Sequence, residues 1–194
     1  ITNHRHLNLT FEDWISIDVP INEIIIASSV DHHDKKYNKM PDDGWINEPI
    51  GMSNFLSFEL IYHIMNYVKN KDNLNKTTVY SAFRQGNDRN RRGNQTINRA
   101  NILKTLSRNN INNQCRGGKE YLETIAHSKF VISPEGNGID CHRTWEALYL
   151  KAIPVCEDNP LTRSKMEGLP VLFTKDYNEI TPEYLESIYP TFLS

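Results

Sequence analysis

The sequence predicts an α/β fold: a Rossmann-like, doubly wound parallel sheet preceded by a short N-terminal segment. Two observations predict it. Short β-branched or apolar runs alternate with stretches of helical spacing from Thr77 to the end of the chain. Glycine-bearing or arginine-rich loops follow two of those runs, after Phe83 and after Ser133. Parallel sheets of this kind take ligands beyond the carboxyl ends of their strands.

In chain order, Ile24-Ile25-Ile26-Ala27 reads as a strand and Asp31 to Glu48 as a long polar loop. Phe55, Phe58, Leu60, Ile61, Ile64, Met65 and Val68 recur at helical spacing after Ser53, a candidate cap. Lys69 to Asn73 reads as a linker. Thr77 to Phe83 is the first strand of the wound sheet. Its arginine-rich loop leads into a helix marked by Ile97, Ile102, Leu103 and Leu106. Asn112 to Cys115 reads as a short strand, Lys119 to His127 as a helix, and Lys129 to Ser133 as a strand ended by Pro134. Asp140 to Leu150 reads as a helix. Ala152 to Cys156 and Leu169 to Phe173 read as strands. Thr181 caps a last helix with Pro182 at its first position.

Composition narrows the function. The chain has 194 residues, 38% hydrophobic and 24% charged, with a formal charge of −2. It has enough apolar residues for a core, and its overall balance does not suit a globally basic nucleic-acid binder. No apolar run reaches the ~18 residues a spanning helix needs. Cys115, Cys141 and Cys156 are odd in number and widely spaced, which predicts reduced thiols and favours a reducing, cytoplasmic compartment. The chain begins at Ile1, so an upstream signal or anchor stays open. Asparagine is abundant, and the three Asn-x-Thr triplets at Asn8, Asn75 and Asn94 are expected by chance.

Two constellations carry chemistry. In Ser133-Pro134-Glu135-Gly136-Asn137-Gly138-Ile139-Asp140-Cys141-His142-Arg143-Thr144-Trp145-Glu146 a strand runs through a glycine turn into a helix. Such a turn brings backbone amides and a positive dipole end to one place, which suits a diphosphate. Arg143 and Glu146, three apart on one helix face, offer a phosphate ligand and an acceptor for a ribose diol. Spacing alone leaves an ordinary strand-to-helix turn with a surface Arg–Glu pair equally open. Between residues 84 and 99 there are five arginines and one aspartate, a local charge of about +4 in an acidic chain. Positive charge focused at a strand end attracts phosphate. No aromatic residues interleave with it as single-stranded nucleic acid would require.

The run from Ser128 to Asp158, SKFVISPEGNGIDCHRTWEALYLKAIPVCED, resembles the signature of the exostosin-type glycosyltransferases, family 47 and its viral and bacterial relatives. Val79 to Phe83 with its arginine loop fits the family's first donor-domain strand, and Asn47 to Met52 resembles the linker before that domain. The resemblance implies a GT-B enzyme whose C-terminal half, here residues 71–194, binds a nucleotide sugar. Residues 1–70 would then be a reduced or truncated acceptor-side segment and linker. It implies inverting transfer of a sugar, from a UDP-sugar in most of the family, to a hydroxyl of a glycan or glycoprotein. A non-catalytic nucleotide-sugar-binding module is the alternative. Arg84 would contact the diphosphate, and Asn137, Gly138 and the helix start at Asp140 would cradle it. Arg143 would bind phosphates or sugar and Glu146 the ribose. His142 would lie beside the base or leaving group, or simply pack its helix. Glu135, where relatives carry Arg or Pro, would face acceptor, sugar hydroxyls or water. Glu135 and Asp43 are the base candidates, with Asp42, His32 and His33 of the same residue types. Asp31-His32-His33-Asp34 has metal-ligand types, yet adjacent residues rarely converge on one ion. The expectation is therefore no metal, no further cofactor and fixed cations at the diphosphate.

Overall fold

The computed structural model of the protein describes residues 50–53, 58–69, 76–93 and 95–193. The strand at Ile24 to Ala27, the loop from Asp31 to Glu48 and the candidates His32, His33, Asp42 and Asp43 lie outside the described residues. Helix α1 (Phe58–Lys69) comes first. Then follow β1 (Thr77–Ser81), α2 (Arg89–Arg92), α3 (Arg99–Arg108), α4 (Gly118–Ala126), β2 (Ser128–Ile132), α5 (His142–Tyr149) and β3 (Ile153–Glu157). The chain continues through α6 (Pro160–Lys165), β4 (Leu172–Thr174), a 3-10 turn (Tyr177–Glu179), α7 (Pro182–Ile188) and a second 3-10 turn (Tyr189–Phe192).

All four strands are parallel, in the order β1-β2-β3-β4. Val79 pairs with Phe130, Ile132 with Val155, and Val155 with Leu172. Ser81 pairs with Ile132 on one side and makes an isolated parallel bridge to Asn113. A strand residue has two lateral neighbours, so Asn113 lies on the outer edge of β1. The stretch expected as a short strand at Asn112 to Cys115 is this one bridge. It reverses the winding. The chain goes outward from β1 to Asn113, then back across to β2, and the reversal leaves a crevice between the carboxyl ends of β1 and β2.

The sheet is covered on both faces, as strict alternation along a buried strand requires. Val131 and Tyr80 pack with Ile64 and Val68 of α1, Leu122 and Ile125 of α4 and Ala147 of α5. Phe130, Ile132, Ile153 and Val155 face the other way, onto Ile102 and Leu106 of α3 and Leu185 of α7. A smaller cluster joins Trp145, Cys156, Met166 and Val171.

Several boundaries differ from expectation. β1 stops at Ser81, because the Asn113 side chain takes over from the sheet. Its Oδ1 accepts from Ser81 Oγ (2.9 Å) and Phe83 N (3.0 Å), and its Nδ2 donates to Phe83 O (3.1 Å). The arginine loop contains a helical turn, α2, and Ile97 is exposed ahead of α3. Helix α5 starts at His142, not Asp140, since the Asp140 carboxylate is engaged elsewhere. Helix α6, with Asn159 as cap and Pro160 at its first position, was not anticipated. Thr181 caps α7 as expected, accepting from Tyr184 N. The three cysteines carry free thiols. Among the described residues no helix is long and apolar enough to cross a membrane.

Asn113→Ala strands the Phe83 backbone groups and should cost about 1–3 kcal/mol of stability, measured by urea unfolding. Asn113→Asp keeps the acceptor for Ser81 and Phe83 N but sets a carboxylate oxygen against Phe83 O, so its loss of stability should shrink at acid pH, where the protonated carboxyl can donate.

Candidate functional site: the crevice between β1 and β2

The loops that leave β1 and β2 meet at the winding reversal, and one side chain joins them. Arg99, the first residue of α3, is 3% exposed. Its Nη1 donates to Arg84 O (3.2 Å), its Nη2 to Pro134 O (2.8 Å) and its Nε to Glu135 O (2.8 Å). Its backbone N–H donates to Asp88 Oδ2 at 2.6 Å. The Arg84 loop and the mouth of α5 are thus one guanidinium apart. Gly136 is needed here for space and not for its dihedral angles. A Cβ would sit 2.7 Å from Arg99 Nη2, a nitrogen that Pro134 O holds in place. Gly136 N donates to Gly138 O at 2.9 Å, closing the turn.

Arg143, the second residue of α5, is the opposite case. Among the described residues its Nε and Nη1 are shut away from solvent with no hydrogen-bond partner. Its guanidinium carbon and that of Arg99 both approach the Phe83 ring, 5.9 Å and 5.4 Å from the ring centre. Among the described residues neither arginine forms an ion pair. Burial pulls the Arg99 pKa below its ordinary value, and the Arg143 charge pulls the same way. Two guanidiniums with no carboxylate partner among the described residues thus approach one ring at the mouth of the crevice.

Beside them lies a compensated charge cluster. Glu135 Oε2 meets Arg91 Nη2 (2.6 Å) and Arg92 Nη2 (2.7 Å), while its Oε1 accepts from Asn159 Nδ2 at 2.6 Å. Arg92 Nη2 also pairs with Glu157 Oε1 (2.7 Å), and Glu135 N donates to Glu157 Oε2 (3.0 Å). Arg91 Nε donates to Gly136 O at 3.2 Å. The carboxylate expected to face acceptor or water is turned inward onto two arginines. Burial raises the Glu157 pKa more than Arg92 lowers it.

Other candidates from the sequence are spread along α5. The Asp140 carboxylate accepts from Ile50 N (2.8 Å) and Trp145 Nε1 (2.8 Å), and pairs with Lys165 Nζ (3.2 Å). His142 Nδ1–H donates to Gly51 O at 2.9 Å. Glu146, 3% exposed, accepts from Tyr121 Oη (2.6 Å) and more weakly from Ser53 N (3.4 Å). Burial raises the Tyr121 pKa. Residues 50–53 are therefore laid along α5 and touch three of its candidate residues. Asn137 is exposed on the turn, Gly138 is buried in it, and the Arg84 side chain is exposed at the crevice edge.

Sequence reasoning counted Arg91, Arg92 and Arg99 as loop charge and singled out none of them. For Arg99 there was a signal. It shares a helix face with Ile102 and Leu106, three and seven residues on, and an arginine on an apolar face must be paired or hydrogen-bonded. Tyr121 had no such signal.

A family model described as the RXYLT1 C-terminal domain matches residues 77–187, from the first residue of β1 into α7. The chain belongs to that family. The mouse protein ribitol-5-phosphate xylosyltransferase 1 is 31% identical over a stretch that covers 35% of this chain. That stretch is 18% of the mouse protein's length. The exostosin label is finer than these matches.

Arg92→Met leaves Glu135 and Glu157 as neighbouring buried carboxylates and should cost about 3–5 kcal/mol. Adding Glu157→Gln should recover part of that, read by denaturant midpoints. A carboxyl whose folded pKa is raised binds its proton more tightly in the folded state. Its stabilising contribution is complete below the unfolded value and is lost as pH rises through the folded value. Glu157→Gln should therefore lose less stability than the wild type on raising the pH across that window.

Proposed function

We propose that this member of the RXYLT1 C-terminal domain family is the donor-binding part of an exostosin-type, GT-B glycosyltransferase. It takes a UDP-sugar, and by kinship with a xylosyltransferase the sugar is a pentose, xylose first. The observation that carries the reading is the guanidinium of Arg143 at the winding reversal, with two buried nitrogens that have no hydrogen-bond partner among the described residues. A diphosphate bound there supplies the missing anion.

In this reading the pyrophosphate lies against Arg143, the amides at the start of α5 and the Asn137–Gly138 turn, with Arg84 closing from the crevice edge. Glu146, oriented by Tyr121, accepts from the ribose diol. His142 and Asp140 hold residues 50–53 beside the donor. An acceptor hydroxyl attacks the anomeric carbon, the bond from that carbon to the diphosphate oxygen breaks, and the electron pair leaves on the diphosphate. The fixed cations stabilise that charge, so no metal ion or other cofactor is invoked. The hydroxyl proton passes to a carboxylate, for which Glu135 and Asp43 are the proposed candidates. The acceptor is a glycan or glycoprotein hydroxyl, and the mouse relative's name points to ribitol 5-phosphate as the first to try. A second reading, binding without turnover, draws support from the engagement of both Glu135 oxygens by Arg91, Arg92 and Asn159.

UDP-xylose at 100 times its dissociation constant should stabilise the protein by about 2.7 kcal/mol, with EDTA making no difference. Arg143→Met should abolish that shift and raise the stability of the unliganded protein by about 1–3 kcal/mol, the cost of its unpaired nitrogens. No shift with any of UDP-, GDP- or CMP-sugars would overturn the reading. Binding with no transfer to ribitol 5-phosphate or other acceptors would select the second reading, and loss of transfer in Glu135→Gln or Asp43→Asn would identify the base.

A further inference from the structure

We infer that Arg99 is a positioning residue of the donor site: its guanidinium sets the spacing between the two crevice loops and so fixes where Arg143 meets the diphosphate. The inference rests on the donor-site reading above and adds a residue that touches no part of the ligand.

Three observations carry it. A guanidinium has five N–H donors in a rigid fork, and Arg99 directs three of its nitrogens to three carbonyls on two different loops. Among the described residues no other hydrogen bond or ion pair joins Arg84 itself to the Pro134–Glu135 turn, the ties of Arg91 and Arg92 lying further along the same loop. Secondly, Gly136 packs against the same nitrogen so closely that a Cβ would come within 2.7 Å. The turn and the guanidinium fit as a pair, joined by the bonds to Pro134 O and Glu135 O. Thirdly, Arg99 and Arg143 both approach the Phe83 ring, at 5.4 Å and 5.9 Å from its centre. A shift of Arg99 moves the ring that supports the ligand-facing arginine. Asp88 holds the Arg99 backbone, and Asp88 also begins α2, whose Arg91 reaches Gly136 O. The clamp is therefore braced from the loop after β1 as well.

Lysine retains the charge at this position but has no fork to span the two loops. Arg99→Lys tests the fork, and Gly136→Ala reaches the same clamp from the other side, in case the first variant folds poorly. Both are titrated with UDP-xylose under conditions where each is fully folded. Backbone hydrogen exchange is measured alongside. Each variant should bind at least about tenfold more weakly. Exchange should quicken at residues 84–86 and 135–138 while the amides of β2 and α4 keep their protection. Because both variants break one contact, the double variant should bind about as weakly as the worse single one. A residue that only supports the fold would lower the unfolding midpoint and leave the affinity of the folded protein unchanged, and that result would overturn the inference. So would losses that multiply in the double variant. If the wild type itself fails to bind UDP-xylose, the donor reading falls. The exchange pattern and the non-additivity of the two variants' unfolding energies then still decide whether Arg99 joins the loops.

Discussion

The crevice depends on arginines that grip backbone carbonyls. Two of them, Arg91 and Arg99, come from the crossover after β1 and hold carbonyls of the turn after β2, where Arg92 joins them through the Glu135 carboxylate. Ordinary sheet packing would bring these loops near each other without fixing their distance. A carbonyl is a weak partner for a full positive charge, so such contacts leave that charge only partly answered. At Arg91 and Arg92 the balance is made up by Glu135 and Glu157. Among the described residues no carboxylate pairs with the guanidinium of Arg99 or with that of Arg143 beside the same ring. One half of the site is electrically closed and the other half is open, and the open half faces the winding reversal.

This division gives the departure at Glu135 a physical explanation. An acidic residue beside a diphosphate site is unfavourable when its charge reaches the ligand. Here two arginines and an asparagine take both oxygens, so the residue contributes rigidity to the turn and little negative field to the crevice. The same economy shows along α5. Asp140, His142 and Glu146 turn toward residues 50–53 and Tyr121, leaving Arg143 as the one member of that stretch without a hydrogen bond among the described residues.

Much of the architecture was legible in the sequence because it rests on local pattern. β-branched runs gave β1 and β2, Thr181-Pro182 gave the start of α7, and the glycine turn before α5 gave the floor of the crevice. Arg143 and Glu146 stood out by spacing on one face. What was not legible depends on long-range partners. Asp140 looked like a helix start until Ile50, Trp145 and Lys165 claimed its oxygens. Arg99 looked like loop charge because its three carbonyls lie 15, 35 and 36 residues away. The winding reversal itself rested on a single bridge at Asn113, too short to carry a periodic signal. The family match to residues 77–187 covers this wound sheet and both crevice loops.

The close fit of Gly136 against Arg99 has a bearing on how such a chain can change over generations. A methyl group added at the turn displaces the large side chain, and shrinking the large side chain first leaves carbonyls unsatisfied in the interior. Either step alone passes through a damaged intermediate, so drift at these two positions is coupled. A lineage that fills the turn should be found to have surrendered the arginine as well, and to have found another way of keeping its two loops apart.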